Sequence, residues 1–144
     1  MNEHHFDAAV AAARSSYQGG GLPIGSALAR GGRLLASAHN ERVQQGDPTA
    51  HAEIACLRQA GRQSSYADTV LYTTLAPCAM CTGAILQFKI PTVVIGEAET
   101  FEGDLARLRQ AGVEVTVLDN RECIELMGRF IGEQPQLWAE DIGE

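Results

Sequence analysis

Two short stretches that lie far apart in the chain, His51-Ala52-Glu53 and Pro77-Cys78-Ala79-Met80-Cys81, constrain it more than anything else it contains. Together they supply three side chains of metal-ligand type and one carboxylate that is free not to be a ligand. Each stretch alone is a weak signal, because Cys-x-x-Cys also occurs as a redox dithiol and His-x-Glu falls by chance in many helices. The combination is strong, and the rest of the chain can be read as serving a site built from both.

Read in order, Phe6, Ala9, Val10, Ala13 and Tyr17 recur at helical spacing and predict an amphipathic helix over about 3–17, ended by Gly19-Gly20-Gly21. Two apolar runs, Ile24 to Ala29 and Leu34 to Ala38, flank Arg30-Gly31-Gly32-Arg33 and predict a hairpin. The polar stretch from His39 to Thr49 reads as a loop, with Asp47 or Thr49 placed to cap a helix running to Ala60 and Gly61. Asp68 to Leu75 reads as a buried strand, and Ala76-Pro77 switches the chain into a helix reaching about Phe88. A strand over 91–96, a helix over 102–111, a strand over 113–118 and a helix capped by Asn120 follow, with a last turn at 136–140. After the hairpin, strands alternate with helices, which predicts an α/β sheet covered on both faces. In such sheets ligands sit beyond strand ends, where loops enter helix N-termini, and both stretches fall at such places.

A length of 144 residues fits one domain spanning 1–144, with 45% hydrophobic and 20% charged residues giving the balance of a soluble globular chain. No apolar run reaches the roughly 18 residues of a membrane span, and the opening residues lack the pattern of a secretion signal, so a cytoplasmic location is expected. Four cysteines, Cys56, Cys78, Cys81 and Cys123, are too few for a disulfide scaffold. A net charge of -7 with scattered basic residues argues against nucleic acid as a partner.

Cys78 and Cys81, three apart at a helix start, put both sulfurs on one face, where the helix dipole favours thiolates. His51, at the start of another helix, brings a third donor. Three protein ligands on Zn2+ leave a fourth tetrahedral position for water, whereas a structural zinc is closed by a fourth protein ligand. Zinc lowers the pKa of bound water from about 15.7 to about 7, worth about 12 kcal/mol in the cost of making hydroxide. Glu53, two residues past the histidine, is placed to move a proton. A structural site would recruit Cys56 or Cys123, but both lie among apolar neighbours and read as core. A thioredoxin-like dithiol would leave His51 and Glu53 unused.

The pattern His-x-Glu followed by Pro-Cys-x-x-Cys resembles the cytidine/deoxycytidylate deaminase superfamily. Leu71 to Ile85 (Leu-Tyr-Thr-Thr-Leu-Ala-Pro-Cys-Ala-Met-Cys-Thr-Gly-Ala-Ile) and Trp138 to Glu144 (Trp-Ala-Glu-Asp-Ile-Gly-Glu) extend the resemblance to the yeast-type cytosine deaminase family, over 19–144. That resemblance implies a three-layer α/β/α sandwich with a mixed five-stranded sheet, one zinc per subunit and a homodimer. It also implies conversion of cytosine to uracil with release of ammonia. Position by position it implies His51, Cys78 and Cys81 as zinc ligands, Glu53 as the catalytic proton shuttle and Asn40 as the partner of the ring amide edge. The Ala52 amide and the Ala76 carbonyl are implied as backbone contacts, and Ile24, Leu75, Phe101, Trp138 and Asp141 as pocket residues. A C-terminal segment over the pocket would leave room for a free base and little for a ribose or a strand. Val43 and Ala139 stand where that family carries phenylalanines, which suggests a wider mouth and leaves guanine, isocytosine or a modified pyrimidine as alternative substrates. An adenosine deaminase acting on tRNA and a non-enzymatic zinc module remain the more distant readings.

Overall fold

The computed structural model describes residues 2–144. Five strands, β1 (Gly25–Arg30), β2 (Arg33–His39), β3 (Thr69–Leu75), β4 (Thr92–Glu97) and β5 (Glu114–Val117), form one sheet in the order β2-β1-β3-β4-β5. β1 runs antiparallel to β2 and β3, whereas β3, β4 and β5 are parallel. The sheet is therefore mixed. Seven helices accompany it: α1 (Glu3–Gln18), α2 (Arg42–Gln45), α3 (Ala52–Ala60), α4 (Ala79–Phe88), α5 (Leu105–Gln110), α6 (Arg121–Glu133) and α7 (Pro135–Asp141).

On one face, α1 lays Phe6, Ala9 and Val10 on Ala27, Ala29, Tyr72 and Val94, and α6 contributes Cys123 to the same cluster. Burial of Phe6 and Val10 alone is worth about 1.5–3 kcal/mol each. The seat of α1 is close: a Cβ on Gly25 would stand 1.9 Å from the Ala9 carbonyl oxygen, so only glycine fits at the start of β1. Asn2 caps α1 by accepting from the His4 N–H at 2.9 Å. On the other face, α3, α4 and α5 bury Cys56, Ile85, Leu105 and Leu108 against Leu28, Leu71, Val93 and Ile95. The architecture is thus the expected α/β/α sandwich. α4 ends at Lys89, which adopts the left-handed conformation with φ 58°.

The elements read from periodicity are present, with shifts at their ends. The hairpin, the apolar β3 and the Asn120-capped α6 match, Asn120 Oδ1 accepting from the Cys123 N–H at 3.0 Å. The stretch 39–49, read as a loop, contains the single turn α2, stopped by left-handed Gly46. Neither Asp47 nor Thr49 caps α3. Asp47 instead accepts from the N–H and hydroxyl of Thr49, at 2.9 and 2.8 Å, which closes a local turn. α3 begins only at Ala52, with His51 in the capping position and extended backbone. Among the described residues, no helix is long and apolar enough to cross a membrane.

Candidate active site

Register gathers the site at one end of the sheet. Gly25 pairs with His39 and Ser26 with Thr73, so the start of β1 lies beside the ends of β2 and β3, and Leu75 pairs with Glu97 at the end of β4. From these ends the chain delivers Ile24, Asn40, Leu75 with Ala76, and the loop holding Phe101. α3 and α4 enter the same corner by their N-termini, with His51 and Cys78 as the capping residues of the two helices. Neither makes a side-chain capping bond, and both side chains turn inward instead.

His51 Nδ1 stands 3.4 Å from Cys78 Sγ and 3.8 Å from Cys81 Sγ. The three donor atoms lie within 4.8 Å of one another. A tetrahedral zinc with ordinary Zn–S and Zn–N bonds separates a nitrogen and a sulfur donor by about 3.6 Å, so the observed spacing brackets what the ion needs. Cys81 is fully buried and His51 nearly so. Cys56 and Cys123 are buried in the two apolar clusters, outside this group, and burial pushes both thiols up to about 12. The expectation that they serve as core residues holds, and the donor set leaves a position for a non-protein ligand.

Without the metal, the charges of the corner are strongly coupled. The Cys78 thiol is held down at about 4, chiefly by a hydrogen bond from Cys81, and then by His51. Cys81 shifts upward by the same contact and by burial, so the pair shares one proton. Burial pulls the His51 pKa down, but the Cys78 hydrogen bond and the charges of Asp141, Cys78 and Glu53 outweigh it and raise it to about 9. Glu53, 4% exposed, is pushed up to about 7 by burial first and by the Cys78 charge second. A metal ion at the three donors would take the place of the protons on His51 and Cys81.

A cavity opens above the donors. Every pocket position expected from the sequence lines it: Ile24, Asn40, Ala52, Leu75, Ala76, Phe101, Trp138 and Asp141, together with Glu53, His51 and Cys78. Ile142, the residue that caps the C-terminus of α7, lines it too and is not among the residues expected. Val43 and Ala139, expected at the rim, are not part of the wall, and Val43 is exposed.

The wall is built from well-placed parts. Asn40 is fully buried; its Oδ1 accepts from the Arg42 N–H at 2.9 Å and its Nδ2 donates to Asp141 Oδ1 at 3.0 Å. Ala52 opens α3, where a helix leaves backbone N–H groups without intrahelical partners. Phe101 meets Trp138 edge to face, with ring centroids 5.8 Å apart. Its loop is pinned at both ends. The fully buried Glu97 accepts from the Thr100 N–H at 2.8 Å, and the Asp104 N–H donates to the Pro77 carbonyl at 3.1 Å. Gly103, at φ +61°, would bring a Cβ to 2.3 Å from that carbonyl, so the approach requires glycine.

Residues 1–97 match the model of the cytidine and deoxycytidylate deaminase zinc-binding region. The chain belongs to the cytidine and deoxycytidylate deaminase family. It is a zinc-binding deaminase, with His51, Cys78 and Cys81 as the candidate donors of the metal. A cytosine deaminase of Candida albicans is 47% identical over 135 residues, covering 92% of this chain and 90% of that one. A tRNA-specific adenosine deaminase of Aquifex aeolicus is 31% identical over 104 residues, covering 70% and 69% of the two chains. The guanine deaminase of Nitrosomonas europaea superposes with a TM-score of 0.77 over 92% of this deaminase and 85% of that chain, at 22% identity, a likeness of fold.

Proposed function

We propose that this deaminase acts on a free nucleobase, cytosine before others, and converts it hydrolytically to uracil with release of ammonia. One observation carries this reading: Trp138 and Asp141 of α7 roof the cavity above the metal donors. A space closed over in this way suits a single ring better than a nucleoside or a strand. The identity with the Candida albicans cytosine deaminase, which extends through nearly the whole chain, supports the same substrate.

Zinc, when held by His51, Cys78 and Cys81, would supply Lewis acidity able to lower the pKa of water from about 15.7 to about 7. The chain's own groups do the rest. Glu53 takes one proton of the attacking water on a carboxylate oxygen and passes it to the ring nitrogen beside the amine-bearing carbon, then takes the second proton from the newly bonded oxygen and gives it to the departing amine. A C–O bond forms, the C–N bond breaks, and ammonia leaves. Asn40, its amide orientation set by the Arg42 N–H, reads the ring amide edge, and the Ala52 N–H donates to the ring carbonyl. The Ala76 carbonyl accepts from the amine. Ile24, Leu75 and Phe101 supply apolar faces that exclude water and hold the ring.

The same reading takes residues 1–144 as one deaminase domain that works as a cytoplasmic homodimer with one zinc per subunit. The net charge of -7 and the roofed cavity support a small-molecule substrate over nucleic acid. Ammonia release from cytosine, isocytosine, guanine, cytidine, adenosine and tRNA, with and without a chelator, tests it. Turnover of cytosine that the chelator abolishes is the expected result. Turnover confined to nucleosides or tRNA would overturn the free-base reading, and turnover of guanine alone would move the substrate while keeping the chemistry.

A further inference from the structure

We propose that Asp141 is a positioning residue for the metal ligand His51, so that docking of the C-terminal helix α7 and metal binding strengthen each other. The inference rests on the reading of His51 as a zinc donor and adds a coupling to it. Imidazole has two nitrogens, and the structure assigns them different neighbours. Nδ1 faces the two sulfurs at 3.4 and 3.8 Å, whereas Nε2 faces away from them and stands 3.4 Å from Asp141 Oδ1. A metal on Nδ1 requires the ring proton on Nε2. With the ring nearly buried, that N–H needs an acceptor, and the carboxylate of Asp141, with its side chain 4% exposed, is the group at hand.

Asp141 is the last residue of α7, a seven-residue helix in which no residue is buried as a whole although the Asp141 side chain is. A helix this short does not hold itself together in water, so its order depends on what it docks against. Asp141 also accepts from Asn40 Nδ2 at 3.0 Å, and one residue earlier Glu140 meets Arg42 Nη1 at 3.0 Å. A single carboxylate therefore joins the ligand on α3, the asparagine after β2 and the roof over the cavity. A cation on Nδ1 polarises the Nε2–H and shortens its contact with a carboxylate into a charge-assisted hydrogen bond. Whatever zinc gives to the docking of α7, docked α7 returns to the binding of zinc, because coupling free energies are reciprocal.

Chelator competition for zinc on the wild type, Asp141→Asn and Asp141→Ala, paired with hydrogen exchange of residues 135–143 in metal-free and zinc-loaded protein, tests the coupling. Asp141→Ala should weaken zinc about 10- to 100-fold, and Asp141→Asn, whose amide oxygen still accepts, by clearly less. Zinc should slow α7 exchange about tenfold or more in the wild type and not in Asp141→Ala. Thermal melts of the metal-free variants confirm that each is folded. Zinc affinity of Asp141→Ala within twofold of the wild type, or α7 exchange indifferent to zinc, overturns the coupling and leaves the deaminase reading standing. A wild type that binds no zinc overturns both.

Discussion

At the starts of α3 and α4 the donors are set by buried backbone and short spacings. Cys78 and Cys81 share one helix start, and His51 is the residue on which α3 begins. At α7 the roof is half-exposed and held by a few long-range contacts: Trp138 on Phe101, Asp141 against Asn40 and His51, and Glu140 with Arg42. The first region is anchored by the two helices packed on the sheet, α3 and α4. The second rests on the packing of Leu137 and Trp138 and on the polar contacts of Glu140 and Asp141, and under the proposed function the first performs the chemistry while the second helps to select what undergoes it.

Substitutions that keep to one side of this division measure it. His51→Ala should bring zinc, measured by elemental analysis, from about one per chain to none, with deamination at background; retained zinc would show that the corner is not the metal site. Glu53→Gln should keep the metal and lower turnover about 10²- to 10⁴-fold, and near-full turnover with bound zinc would remove the proton-moving role.

The same residue makes a prediction about stability. Glu53 ionises at 4.5 in an unfolded chain and at about 7 in the folded metal-free protein, so the folded state holds the extra proton between those values. Its contribution is therefore fully present below 4.5 and is lost as pH rises through 7, a loss of about 3 kcal/mol. His51, raised to about 9, loses its contribution mainly at higher pH, and Cys78, lowered to about 4, acts with the opposite sign over this range. Urea unfolding of metal-free wild type against Glu53→Gln isolates the carboxyl: stability of the variant relative to wild type should climb from pH 4.5 to 7.5, and a constant difference would contradict the burial argument. On the roof side effects are smaller. Trp138→Ala should raise KM for the base about tenfold with a lesser change in kcat, and raise the activity on nucleosides relative to the base, read by steady-state ammonia release. A drop in kcat with KM unchanged would place Trp138 with the chemical part.

The sequence is most legible where local pattern and tertiary role agree. β3 reads as a buried strand because Val70 to Leu75 is β-branched and apolar, and α6 reads as a helix because Cys123, Leu126, Met127 and Phe130 fall on one face. The donor corner was legible for the same reason, since spacing alone puts Cys78 and Cys81 together. The start of α3 was misjudged because capping chemistry favours Asp47 or Thr49, whereas the chain uses Asp47 to build a turn and gives the helix start to His51. α2 escaped because four residues carry no period. The cavity wall itself was reached only through resemblance. Asn40 looks like any turn residue until its pairing with Asp141, 101 positions away, is seen, and nothing local marks Ile142 as part of the wall.

Lys89, the left-handed residue that ends α4, is the chain's one lysine. Because α4 begins at the donors and rises about 1.5 Å per residue, the Lys89 backbone stands roughly 15 Å along the helix from Cys78. Attachment through its side-chain amine would tie the molecule to a support at the end of α4 opposite the donors, a ready geometry for an immobilised catalyst.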